Sequence, residues 1–106
     1  MMLTPSAGFA GHRVVRSLGL VRGNTIRARN VGRDIVAALR NLVGGEITEY
    51  TKMMAEAREQ ALDRMRLEAQ DLGANAILDI RFSTSYVMGM AAEILVYGNA
   101  VILEAE

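Results

Sequence analysis

His12 is the single histidine of this 106-residue chain, and there is no cysteine. A transition-metal site wants several imidazole, thiolate or carboxylate donors converging on one point, so His12 supplies at most one ligand of a set. Partly exposed surface placement is the commoner fate of a lone histidine. Symmetry offers the exception, because a ring brings one copy of His12, or of a carboxylate, from each subunit to a common axis. Seven methionines raise soft-metal chemistry, since thioethers bind Cu(I). Met54 and Met65 fall on an apolar helical stripe, where methionine fills gaps in a core. Met88 and Met90 flank a turn glycine and remain the candidate thioether ligands, or else subunit contacts.

The arginines point to anions. Residues 1–45 hold seven arginines against Asp34 alone, whereas residues 46–106 hold five basic and eleven acidic groups, so the halves carry +6 and −6 within a net charge of zero. Mutual complementarity within or between subunits is the commoner meaning of such a split. The sharper one is an arginine-lined groove for an anionic ligand, drawn from Arg13, Arg16, Arg22, Arg27, Arg29 and Arg33. Nucleic acid is disfavoured, because there is no overall basic excess and no interleaved aromatic platform.

Catalytic chemistry finds less support. Glu56, Glu59 and Asp63 share the polar stripe of a helix, where carboxylates are solvated. Ser17, Ser83 and Ser85 have no base or orienting acid near them in sequence, and there is no nucleophile elbow or phosphate loop. No catalytic residue is assigned, and the expected class is a binding protein rather than an enzyme.

The elements that must position these residues read as follows. His12 to Ile26 is a strand in which Gly19 and Gly23 interrupt the alternation, the mark of a bulge or a close backbone approach. Asn30 caps a helix that ends at Gly44 and Gly45. Apolar or small residues at Ile47, Tyr50, Met54, Ala57, Ala61, Met65, Ala69 and Leu72 then recur every three or four positions and draw the buried stripe of a long helix. Thr48 is its expected N-cap and Gly73 its stop, with Arg64 and Glu68 as an i,i+4 pair on the polar face.

From Ala76 the period becomes two, with Ala76, Leu78, Ile80, Phe82, Thr84 and Tyr86 on one face and Ile77, Asp79, Arg81, Ser83 and Ser85 on the other. A hairpin turn centred on Gly89 follows. The last strand has apolar residues on both faces, with Ile94, Val96, Ala100 and Ile102 backed by Leu95, Tyr97, Val101 and Leu103. The fold expected is therefore α+β: a three-stranded antiparallel sheet in the order β-α-α-β-β, last strand central, with two helices on one face. One helical layer leaves the other sheet face bare, which predicts a homo-oligomer sealed over Val101 and Leu103.

At 51% hydrophobic and 23% charged residues the chain is one globular domain, residues 1–106, with residues 1–11 read as a loose start. No apolar run reaches bilayer-spanning length and the opening lacks a secretory pattern, so no membrane contact and a cytoplasmic location are expected.

The order strand, helix, Gly-Gly, long helix, Leu-Gly-Ala, strand, hairpin, strand resembles the YbjQ-like family of bacteria and archaea, which is labelled heavy-metal-binding. The resemblance runs over nearly the whole chain. It is carried by Gly19 and Gly23, Arg33-Asp34, Gly44-Gly45, Tyr50, Ala57-Arg58, Leu72-Gly73-Ala74 with Ala76, and Gly98 with Ala100-Val101. It implies a dodecin-like subunit assembled into a pentameric ring, with a metal ion as the class of ligand and small ligands held between protomers as the alternative. This sequence departs from the family pattern at Asn24 and Asn75, where acids are frequent, and at Asp79, where a small residue is usual.

Overall fold

The computed structural model describes residues 1–26, 47–87 and 90–106. Its strands are β1 (Met2–Leu3), β2 (His12–Ile26), β3 (Ala76–Val87) and β4 (Met90–Ala105), and its helix is α1 (Ile47–Asp71). The strands form one mixed sheet in the order β1-β3-β4-β2. The last strand is central between the two long ones, as its two apolar faces require, and both long pairings are antiparallel.

Three expectations need correction. The sheet has four strands rather than three, because the opening residues are not loose: β1 pairs in parallel with Ala76 and Ile77, and backbone hydrogen bonds tie Thr4 and Ser6 to Ile77, Asp79 and Ile80. Thr48 lies inside α1, which already runs at Ile47, so it is not the N-cap. Arg64 does not bond Glu68; its Nη1 donates to the backbone carbonyl of Asn24 at 2.5 Å, while Arg66 pairs with Asp63 at 2.9 Å. The expected first helix, with Asn30, Gly44 and Gly45, lies outside the described residues, so the two-helix cover reduces to α1 among those described.

The C-terminal stop of α1 is as the sequence requires. Gly73 adopts φ 85°, its N–H reaches the Gln70 carbonyl, and the Ala74 N–H reaches the Ala69 carbonyl. This is the paired cap that a left-handed residue after the helix makes possible. Leu72, counted on the apolar stripe, sits at this cap and is exposed.

The helix packs chiefly over β2, and the reason is residue size. Ala57, Ala61 and Ala69 are buried beneath it, and opposite them stands Gly23, where an added Cβ would overlap the Ala61 carbonyl oxygen. The Thr25 hydroxyl donates to the Ala57 carbonyl at 3.0 Å, which satisfies a buried polar group at the same contact. Val21, Met65, Ile77 and Val96 are fully buried in this core.

Two of the four register shifts among the described residues matter most for where side chains point. In β2 the register slips between Ser17 and Gly19, with Gly19 at φ 110°, so Gly19 serves as the bulge and Gly23 as the close approach. In β3 it slips between Leu78 and Arg81, where Asp79 takes φ 55°, a conformation that aspartate tolerates better than most residues. The bulge breaks the simple alternation expected there. Ala76 and Leu78 face away from α1, whereas Ile77 and Ile80 face it. Gly98 fills the place opposite the bulge, where a Cβ would stand 2.7 Å from Ile77 Cγ2 and 2.9 Å from the Leu78 carbonyl oxygen.

The face away from the helix is partly sealed from within. Ala76, Leu78, Val101 and Leu103 form a second buried cluster with Phe9 packed on it. The N-terminal segment thus covers the patch that sequence reasoning assigned to another subunit.

Candidate functional site

His12 opens β2 beside the Phe9 ring, centroids 6.5 Å apart. Its Nδ1 lies 3.0 Å from the Ala10 carbonyl oxygen. A carbonyl only accepts, so Nδ1 is the donor, and in the neutral ring the lone pair available to a metal is on Nε2. Among the described residues, however, no three histidine, cysteine or acidic side chains come together. The described part of one chain does not by itself fit a metal ion, and a site would need donors from outside the described residues or from another subunit. Met88 and Gly89 lie outside the described residues. Met90 enters by its backbone, paired with Val87, so the hairpin connection holds two residues.

Among the described residues, Arg13, Arg16 and Arg22 do not gather into one groove. Arg13 bonds Glu104 at 3.3 Å. Arg16 pairs with Ile102 and Arg22 with Tyr97, and the bulge between them leaves the two on opposite faces of the sheet. Arg27, Arg29 and Arg33 lie outside the described residues. What the register does assemble is a row across three strands: Arg22 on β2, Tyr97 on β4 and Arg81 on β3 are successive partners. By register the three positions lie on the face away from α1, because the adjacent Gly23 and Val96 face it, but the Arg81 guanidinium turns away from Tyr97 to the opening segment, into a groove that Leu62 of α1 also lines. Arg81 Nη1 donates to the Pro5 carbonyl at 2.7 Å and to its neighbour's, Ile80, at 2.9 Å, which holds the guanidinium without neutralising it. Arg81 and Tyr97 were not singled out from sequence, and no local signal could have found them, since only register brings them to Arg22.

The other candidates stay apart. Glu56 and Glu59 line a shallow trough of 520 Å³ on the exposed side of α1, and Asp63 is engaged by Arg66. Ser17, Ser83 and Ser85 are exposed on strands. A second open groove, of 480 Å³, lies between α1 and the opening segment, against Leu3, Pro5, Leu62, Ile80, Phe82 and the Arg81 side chain.

The three departures from the family pattern all have structural work. Asn75 pairs with the Leu103 backbone at both ends, its Nδ2 donating to the carbonyl at 2.9 Å and its Oδ1 accepting from the N–H at 2.8 Å. An aspartate could not make the first of these. Asn24 Nδ2 donates to Glu93 at 3.3 Å, and Asp79 accepts from Asn99 Nδ2 at 3.2 Å.

Residues 1–104 match the sequence model of the YbjQ family, described as "Putative heavy-metal-binding". This chain belongs to the YbjQ family. Relatives of the same family character include a UPF0145 protein of Dehalococcoides mccartyi, 57% identical over 98% of this chain and 100% of its own length. Another, from Pyrococcus abyssi, is 51% identical over 100% of this chain and 93% of its own. In fold, the chain is similar to a crystal structure of a DUF74-family protein of unknown function from Pediococcus pentosaceus, with TM-score 0.57 at 17% identity, covering 100% of this chain and 98% of that one. That likeness bears on the fold alone. No helix among the described residues is long and apolar enough to cross a membrane.

Proposed function

We propose that this YbjQ-family chain is a cytoplasmic homo-oligomeric binding protein, a ring of five subunits by its dodecin-like resemblance, whose ligand is a metal ion held where copies meet. The observation that carries self-association is the uncovered middle of the sheet face opposite α1. There Leu20 is 62% exposed and Tyr97, on the central strand, 37% exposed, beyond the reach of the Phe9 cover over Val101 and Leu103. Apolar surface at the centre of a sheet is a contact surface for another copy. Metal is the ligand class of the family description, and the His12 tautomer supports it by leaving Nε2 free. Ring symmetry would supply the repeated donors that the described part of one chain lacks. A binding role rather than catalysis is part of the same proposal, supported by the scatter of the serines and carboxylates described above.

Equilibrium dialysis against Zn²⁺ and Ni²⁺ tests the metal reading. His12→Ala should lower affinity about tenfold or more, as loss of a ligand or of its support does, with the oligomer intact. Unchanged binding would remove His12 from the site.

A second reading, an anion or small-ligand binder, is favoured by Arg22, which has no ion-pair partner among the described residues. Salt separates the two: binding through arginines weakens as ionic strength rises, whereas coordinate bonds respond to chelators and pH.

A further inference from the structure

We propose that the groove between α1 and the opening segment binds a carboxylate with an apolar body, of the medium-chain fatty acid class, and that Arg81 holds the carboxylate. The inference rests on neither the metal reading nor Arg22.

Three elements build the groove, which measures 480 Å³, a volume within the range of roughly 300–1,000 Å³ usual for small-ligand sites. Ile80, buried in the core cluster, forms its floor, and Leu3 and Leu62, both packed against that cluster, line it from the opening segment and from α1. Phe82 follows Ile80 on the same face of β3 and is 47% exposed, so it extends the apolar surface along the strand. The walls are tied together before any ligand arrives. The Thr4 N–H donates to the Ile77 carbonyl at 3.1 Å, the Ile80 N–H to the Thr4 carbonyl at 3.2 Å and the Asp79 N–H to the Ser6 carbonyl at 3.0 Å. A pre-formed groove of this kind spares a ligand much of the cost of ordering its site.

Arg81 gives the groove its charge selectivity. Its Nη1 carries two hydrogens and has two acceptors, the carbonyls of Pro5 and Ile80. The hydrogens on Nη2 and Nε have no partner among the described residues. They share one edge of the planar guanidinium, the fork that takes a carboxylate through two parallel hydrogen bonds. No acid among the described residues holds that edge. The ion pairs there, Arg13–Glu104 and Arg66–Asp63, do not include Arg81, and Asp79 accepts from Asn99 on the central strand. One anchored cation beside an apolar groove is complementary to one negative charge at the end of an apolar chain. A small bare anion meets only the cation, and a neutral chain meets only the groove.

The test is isothermal titration of octanoate, hexanoate, acetate and 1-octanol into the full chain and into Arg81→Gln, Phe82→Asp and Arg22→Gln, each shown to be folded by circular dichroism. Octanoate should bind, and hexanoate more weakly by up to about fourfold for each methylene removed, the worth of a buried methylene. Acetate, without the apolar body, and 1-octanol, without the charge, should each bind about tenfold more weakly than octanoate or worse. Arg81→Gln should lower octanoate affinity about tenfold or more, the loss expected for charge-assisted hydrogen bonds. Phe82→Asp should do the same by placing a like charge in the groove, and it leaves the Arg81 contact with Pro5 untouched, so a loosened opening segment is not its cause. Arg22→Gln, on the other face of the sheet, should match the parent. Octanoate affinity that survives both Arg81→Gln and Phe82→Asp overturns the site, as does affinity lost in Arg22→Gln alone, which moves the anion to Arg22. Acetate bound as tightly as octanoate overturns the apolar half of the site. No octanoate binding by the parent overturns the whole site and leaves the metal reading to its own dialysis test.

Discussion

Gly23→Val is expected to remove most of the stability of this domain. An ideal Cβ at position 23 would overlap the Ala61 carbonyl oxygen and stand 2.5 Å from the Met65 nitrogen and 3.0 Å from Arg64 Cβ. The first two obstacles are helix backbone, which cannot rotate aside as a side chain does. Overpacking in cores costs about 1–3 kcal/mol where side chains can shift. Here α1 itself must lift from β2, which strips the Thr25 hydrogen bond to Ala57 and opens the contact around Val21 and Met65. A loss of about 3 kcal/mol or more is expected from a total of roughly 5–15 kcal/mol. Urea denaturation read by circular dichroism measures it. Gly8→Val is the control, because nothing lies within 4 Å of its added Cβ, and it should stay within about 0.5 kcal/mol.

Leu103→Lys should be comparably severe, for a different reason. Leu103 is 6% exposed, in the cluster with Ala76, Leu78 and Val101 that Phe9 covers. An ammonium placed there loses its hydration with no partner to replace it. Sequence reasoning placed this side chain at a subunit contact, which would give monomers or insoluble protein. The structure places it inside the subunit, so the expected result is loss of the fold, seen as a collapse of the urea midpoint in circular dichroism. A variant that keeps the parent midpoint and only dissociates would return Leu103 to the interface.

These two positions show what was legible in the chain. Gly19 and Gly23 announced a bulge or a close approach, and each turned out to be one of the two. Gly73 ended the helix where its freedom at positive φ was needed. The two-faced composition of the last strand correctly made it central. The cover over Val101 and Leu103 was not legible, because Phe9 sits in a segment without periodicity, and parallel pairing by the two residues of β1 leaves no pattern to read. The bulge at Asp79 was equally hidden: aspartate in a left-handed conformation carries no signal comparable to glycine, and the face switch from Leu78 to Ile80 runs against a regular alternation. For the candidate site, His12 was found because it is unique. The alignment of Arg22 with Tyr97 and Arg81 was missed because the three belong to strands far apart in sequence, and clustering along the chain grouped Arg22 instead with Arg13 and Arg16, which the fold sends elsewhere.

Assembly is the claim on which the proposed function leans, since a metal ion held where copies meet takes its donors from several of them. Native mass spectrometry of the protein as purified, without added metal or chelator, tests it most directly. A mass five times that of the subunit, with excess mass released on mild denaturation, is the predicted result, and the size of that excess separates metal ions from an organic anion. A bare monomer would contradict the account, removing the subunit contact over Tyr97 and the shared metal site together.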